Sequence, residues 1–207
     1  MIGQLYEKHL LPRLVHLACG TGPITRQRAT WIPRAAGRVL EIGFGSGLNT
    51  PFYNAARVQE LVGLEPSDGM ARLAGRMLPD SPFPVRLVTA GAEDIPLDTD
   101  SVDTVVTTYT LCTVPEPRAA LAEMRRVLKP SGRLLFCEHG VAPDASVRRW
   151  QERLNPAWRA LAGGCNLTRD VPALLAAAGF DVTELAADYL PGWRPASWNT
   201  AGCARVR

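Results

Sequence analysis

The chain has no apolar stretch long enough to cross a bilayer, which takes about 20 consecutive apolar residues. Its opening segment, Met1 to Gly20, is broken by Glu7, Lys8, Pro12 and Arg13, so it has no apolar core of a secretion signal either. An excess of charge is also missing. The 23 basic and 20 acidic residues leave a net +3, too little for a field that gathers nucleic acid or an acidic membrane. Cysteines are few and odd in number: Cys19, Cys112, Cys137, Cys165 and Cys203, with no CxxC pair. That excludes a disulfide framework and points to free thiols in a reducing compartment, with the cytoplasm as the expected location. No metal is expected, because neither His16 with Cys19 nor the run Cys137-Glu138-His139 supplies four ligands at paired spacing. No repeat, low-complexity tract or Gly/Ser linker divides the chain. Residues 1–207 therefore read as one domain, long enough to bury a sizeable core.

What the chain does contain is an apolar run that opens into alternating glycines: Arg38-Val39-Leu40-Glu41-Ile42-Gly43-Phe44-Gly45-Ser46-Gly47. It predicts a buried strand followed by a sharp turn whose backbone comes close to a ligand, where a Cβ would obstruct both. The sixth place of the dinucleotide fingerprint is Leu48 instead of glycine, which weakens a pyrophosphate reading. An acidic residue two places before a G-x-G-x-G turn resembles the S-adenosylmethionine (SAM) loop of class I methyltransferases. A second strand, Leu61-Val62-Gly63-Leu64, ends in Glu65-Pro66. Glu65 lies about 20 residues past the turn, where a carboxylate meets ribose hydroxyls in doubly wound folds.

Further strands are predicted at Val85–Val88, Ser101–Thr108, Arg133–Glu138, Phe180–Leu185 and Thr200–Val206, from β-branched and apolar runs bounded by turns. Helices are predicted from the cap Ser67 through Met77, over Pro117–Leu128, and over Asp170–Ala178 before Gly179. Strands alternating with helices define an α/β fold: a mostly parallel sheet of seven strands with helices on both faces. The last two strands lack a crossover helix and are expected as an antiparallel pair at the sheet edge.

From Val39 to Phe136 the chain is similar to the class I SAM-dependent methyltransferases, whose fold is Rossmann-like. A more specific resemblance rests on Thr110-Leu111-Cys112-Thr113-Val114, Glu123 to Pro130, Phe136-Cys137-Glu138-His139 and Gly163-Gly164-Cys165-Asn166-Leu167-Thr168-Arg169. These segments resemble the alkyl thiol methyltransferase family and its bacterial relatives. The resemblance implies that Gly43, Gly45 and Gly47 surround the methionine part of SAM, with Glu41 also among the cofactor-binding residues. It puts Glu65 on the ribose, Pro66 and Met70 beside the adenine, and Ala92-Glu93 at the adenine edge. Thr108 and Tyr109 end the fourth strand, where ligands sit in open α/β sheets. Residues 1–35 are expected to form a helical lid, from which Tyr6, Arg26 and Arg28 either meet the SAM carboxylate or the substrate, or lie on a solvated surface.

The expected reaction is methyl transfer to a small-molecule acceptor, with an alkyl thiol as the specific candidate. The sulfonium of SAM is already a leaving group, so in-line displacement requires mainly proximity and alignment. A thiol loses its proton at about pH 8.5 and needs little further activation. On the acceptor side the candidates are His139, Cys165, Tyr109, Trp158 and Arg169. His139 either takes the acceptor's proton or is a buried histidine tied to a carbonyl. Cys165 either lines the pocket or packs as a small hydrophobe. Trp150 and Trp158, on one predicted helix, are expected mainly to pack in the core. Two other readings stay open: a nucleic-acid methyltransferase using Arg148, Arg149, Arg153 and Arg159, and a non-catalytic nucleotide-binding protein on the same fold.

Overall fold

The computed structural model describes residues 6, 10–75, 78 and 81–207. A seven-stranded sheet runs in the order β3-β2-β1-β4-β5-β7-β6. Its strands are β1 (Gly37–Ile42), β2 (Val58–Leu64), β3 (Val85–Val88), β4 (Val102–Thr108), β5 (Leu128–His139), β6 (Phe180–Tyr189) and β7 (Trp198–Val206). The first five are mutually parallel, whereas β7 lies antiparallel to both β5 and β6. The expected hairpin is therefore present, with its second strand inserted against β5 and β6 left at the edge.

Around the sheet pack α1 (Leu11–Cys19), α2 (Gly22–Trp31), α3 (Asp68–Ala74), α4 (Pro117–Val127), α5 (Ala145–Leu161) and α6 (Val171–Ala177). Alternation along the strands sends successive side chains to opposite faces. Leu40, Ile42, Val105 and Phe136 pack with Leu121 and Met124 of α4 and Leu175 of α6. Their neighbours Val39, Val106 and Leu135 pack on the other face with Trp31, Tyr53 and Ala74. Both faces are covered, which is why these strands read as nearly continuous apolar runs.

Three expectations change in detail. The helix capped by Ser67, whose hydroxyl accepts from Met70 N–H, runs from Asp68 to Ala74, and Met77 lies outside the described residues. The fifth strand starts at Leu128 instead of Arg133: the Pro130-Ser131-Gly132 segment is absorbed as a register irregularity against β4 between Val102 and Thr104. Trp150 does not pack in the core; it is 56% exposed, with the Arg153 guanidinium over its ring.

Candidate active site

The turn after β1 is shaped by positive φ at Gly43, Gly45 and Gly47. A Cβ at Gly43 would lie 2.3 Å from Thr110 Oγ1, so the loop after β4 packs directly on the glycine backbone. Gly45 N–H donates to Glu65 Oε2 at 2.8 Å, and Ser67 N–H donates to Glu65 Oε1 at 2.8 Å. These bonds hold the carboxylate at the end of β2 beside the turn. Burial raises the Glu65 pKa, and the two backbone donors oppose that rise.

Beneath the turn lies a buried polar network. Arg28 Nε donates to Asn49 Oδ1 at 2.8 Å. Asn49 Nδ2 donates to Glu41 Oε1 at 2.8 Å and to Thr108 Oγ1 at 2.9 Å, while Tyr53 Oη donates to Glu41 Oε2 at 2.7 Å. The Asn49 amide thereby spends both of its N–H groups and its carbonyl. Burial pushes the Glu41 carboxyl up to about 7, against the pull of Tyr53 and Asn49. Arg28 is 4% exposed and donates through Nη1 to the Cys19 carbonyl at 2.7 Å. Among the described residues, no carboxylate lies within ion-pair distance of it.

A cavity of about 340 Å³ opens above these groups at the carboxyl ends of β1, β2 and β4. Of the residues expected around the methyl donor, Glu41, Gly43, Gly45, Glu65, Pro66, Met70, Ala92, Glu93 and Thr108 line it, as do Arg28 and Tyr109. Gly47 does not: its N–H turns back to the Phe44 carbonyl, and its φ is positive. Arg26 is exposed and lines neither cavity of the site. α1 closes one side of the cavity with Leu11, Val15 and His16. Its His16 Nδ1 lies 2.7 Å from Ser46 Oγ in the glycine turn.

A second cavity, of about 270 Å³, adjoins the first and shares Val15, Cys19, Tyr109, Thr113 and Ala162 with it. Its lining is largely apolar and includes Ile24, Trp158, Leu190, Pro191 and Trp193, with Cys112, His139 and Cys165 on its inner side. Trp158 and Trp193 stack with ring centroids 5.5 Å apart. Tyr109 has φ +54° and a buried hydroxyl without a partner among the described residues. Burial drives that hydroxyl's pKa far up, so it stays protonated. A non-glycine residue held in this backbone region is costly and is sustained by surrounding structure, often at ligand sites.

His139 ends β5, Cys112 follows β4 and Cys165 follows α5. The bond from Asn166 N–H to the Cys112 carbonyl, 2.9 Å, joins the last two segments. His139 Nε2 lies 2.9 Å from Cys165 Sγ, which also accepts from Trp158 Nε1 at 3.2 Å and lies 3.8 Å from Cys112 Sγ. The hydrogen bond with Cys112, together with those to His139 and Trp158, outweighs burial and holds the Cys165 thiol well below its ordinary range. Burial alone would lower His139, but the hydrogen bond and charge of Cys165 raise it. Cys165 is therefore a polar member of the cavity wall instead of a packing hydrophobe, and His139 is tied to a sulfur, not to a carbonyl.

Two expected pocket residues lie elsewhere. Arg169 turns its guanidinium onto the Leu111 carbonyl, and Tyr6 Oη donates to the Leu161 carbonyl. Arg169 thus braces the loop after β4 and Tyr6 the end of α5, and neither lines either cavity. Sequence reasoning passed over Asn49 and Cys112. Asn49 lacks a pattern of its own, and Cys112 meets Cys165 only across 53 residues of chain.

A parallel sheet whose strand order reverses between β1 and β4, with a cavity at that switch point beside a glycine turn, defines a Rossmann-like ligand-binding enzyme fold. Residues 40–136 match the methyltransferase domain family. The human thiol S-methyltransferase TMT1B is 34% identical over 177 residues, which cover 82% of this chain and 72% of that protein. A demethylmenaquinone methyltransferase from Clavibacter sepedonicus is 38% identical over 117 residues, 56% of this chain and 47% of that one. A SAM-dependent methyltransferase structure from Thermotoga maritima superposes with a TM-score of 0.69 at 21% identity, covering 94% of both chains. The chain belongs to the class I SAM-dependent methyltransferases, and its methyl donor is SAM. It spans 61 to 72% of the length of the rat and human thiol S-methyltransferases that it matches. No described helix is long and apolar enough to cross a membrane.

Proposed function

We propose that the protein methylates a small, largely apolar thiol. The observation that carries this reading is the second cavity, about 270 Å³, walled by Trp158, Trp193 and Leu190 and separated from the donor cavity by Tyr109. Its size suits a small organic acceptor, and its apolar lining disfavours a charged one. The similarity to proteins named thiol S-methyltransferases supports sulfur as the accepting atom.

The larger cavity fits SAM by its chemistry. Glu65 has an ionisable carboxylate with lone pairs left for two ribose hydroxyls. Arg28 offers a buried cation with no carboxylate at ion-pair distance among the described residues, suited to the methionine carboxylate. Met70, Ala92 and Pro66 give apolar surface for the adenine. When bound, SAM supplies a methyl group on a sulfonium leaving group. The task left to the chain is to hold an acceptor sulfur in line with that methyl, within a near-attack distance of about 3–3.5 Å, and to exclude water. Overall, the acceptor's S–H bond breaks and its proton goes to solvent, a S–C bond forms, and S-adenosylhomocysteine leaves. The residues 11–34 are proposed to act as the lid, since α1 contributes to both cavities.

The test is release of S-adenosylhomocysteine with a panel of small thiols, amines, phenols and carboxylates. Turnover confined to thiols is expected. Trp158→Ala and Trp193→Ala are expected to raise KM for the acceptor while leaving the Kd for SAM unchanged. Turnover on amines or phenols with none on thiols overturns the sulfur assignment. SAM binding without any acceptor turnover favours a binding role or a larger substrate.

A further inference from the structure

We propose that Cys112, His139 and Cys165 form a binding site for a thiophilic divalent cation, with Zn²⁺ as the matching ion and its fourth ligand position open to the acceptor cavity. Among the described residues these form the one trio of His, Cys, Asp or Glu whose ligand atoms all lie within 4.8 Å of one another. The nearest ligands in sequence are 26 residues apart, so no motif spacing announces them.

The geometry is close to that of a tetrahedral site. With Zn–S near 2.3 Å, two thiolates at the tetrahedral angle sit about 3.8 Å apart, and Cys112 Sγ and Cys165 Sγ are 3.8 Å apart. Sulfur and imidazole nitrogen on one zinc are separated by roughly 3.5 Å, whereas His139 Nε2 lies 2.9 Å from Cys165 Sγ. The ring must withdraw by about half an ångström, a small adjustment at a cavity wall. Two sulfurs and one imidazole form a soft donor set that selects zinc over magnesium or calcium. Three protein ligands with one open position is the pattern of reactive zinc sites, while structural sites close with four.

The surroundings favour such an ion in one respect and weaken it in another. Trp158 Nε1–H donates to Cys165 Sγ at 3.2 Å and so orients a ligating sulfur. His139 Nδ1 is buried without a partner among the described residues, and the lack of such an outer bond costs about 10- to 100-fold in metal affinity. The ion is therefore expected to exchange and to be lost to chelators. Resting on the thiol reading above, the open position gives the ion a purpose: an incoming thiol coordinates through sulfur, its proton leaves to solvent, and the sulfur is held next to the wall formed by Tyr109.

The experiment uses the full chain, reduced and stripped with a chelator, and titrated with Zn²⁺ against a chromophoric competitor and separately with Co²⁺. Expected are one Zn²⁺ per chain and a Co²⁺ spectrum with a thiolate charge-transfer band and intense tetrahedral visible bands. Cys112→Ser, Cys165→Ser and His139→Asn are each expected to weaken Zn²⁺ by at least tenfold, and Cys203→Ala to leave it unchanged. Absence of saturable Zn²⁺ binding, or a Co²⁺ spectrum without the thiolate band, overturns the proposal in the wild-type chain whether or not the variants fold. A reduced chain that instead forms only a Cys112–Cys165 disulfide on exposure to air, without binding zinc, also overturns it. Undiminished thiol methylation by zinc-free protein sinks the role given to the open position and leaves the thiol reading intact. A bound zinc with no turnover on any thiol overturns the thiol reading, and with it the role given to the open position, while the cation site itself stands.

Discussion

The carboxylate of Glu65 and the amide of Gly45 are joined by a 2.8 Å hydrogen bond that ties the end of β2 to the glycine turn after β1. One group thus sets the shape of the turn and presents its remaining lone pairs to the cavity. Glu65→Ala removes both, and SAM binding measured by calorimetry is expected to weaken by more than tenfold, about 1.4 kcal/mol. Unchanged affinity rules Glu65 out as the ribose partner.

Arg28 is expected to recognise the amino-acid end of the donor. Arg28→Met should weaken SAM by at least tenfold but leave 5′-methylthioadenosine, which lacks the carboxylate, nearly unaffected. Equal losses for both ligands would mean that Arg28 serves only the Asn49 network.

At Gly43 the limit is steric. An added methyl meets Thr110 Oγ1 at 2.3 Å, and φ is +67°, a region that costs a residue with a Cβ roughly 1–2 kcal/mol by itself. Gly43→Ala is expected to lower stability by at least about 2 kcal/mol in denaturant titration, and to weaken SAM because the turn must shift. A variant with wild-type midpoint and affinity would show that the loop after β4 yields freely.

Glu41 gives the pH dependence of stability a definite direction. Its carboxyl titrates at about 7 in the folded chain against 4.5 without burial, so the folded state holds this proton more tightly. The stabilisation is complete below 4.5 and is lost as pH rises to about 7, in total roughly 3 kcal/mol. Burial raises Glu65 and Glu138 in the same direction. Glu41→Gln should therefore flatten the decline in stability over this window without abolishing it. A variant curve parallel to that of the wild type would contradict the assignment.

The lining of the larger cavity was legible because its signals are local. Gly43, Gly45 and Glu65 sit at strand ends, and a strand that ends in a turn leaves its mark in consecutive residues. Gly47 shares the pattern but does not line the cavity, since a repeating glycine can serve the turn without facing the open space. The smaller cavity draws on the ends of β4 and β5 and on the loop after α5, and contacts across such distances have no period to detect. Trp150 and Trp158 illustrate the limit on a single helix. Eight residues carry the second tryptophan roughly 80° beyond two full turns, enough to leave one in solvent and bring the other to the cavity. Arg169 belonged to a matching motif, yet its guanidinium is consumed by the Leu111 carbonyl, a choice fixed by tertiary packing.

Tyr109 belongs to the walls of both cavities and is held in an unusual backbone state, with Arg28 5.5 Å from its ring centre. One side chain therefore bounds both chambers. Filling the first chamber fixes a boundary of the second, which favours a compulsory order of addition with the donor entering first. In initial-rate kinetics, the apparent KM for SAM should then depend on which acceptor is used.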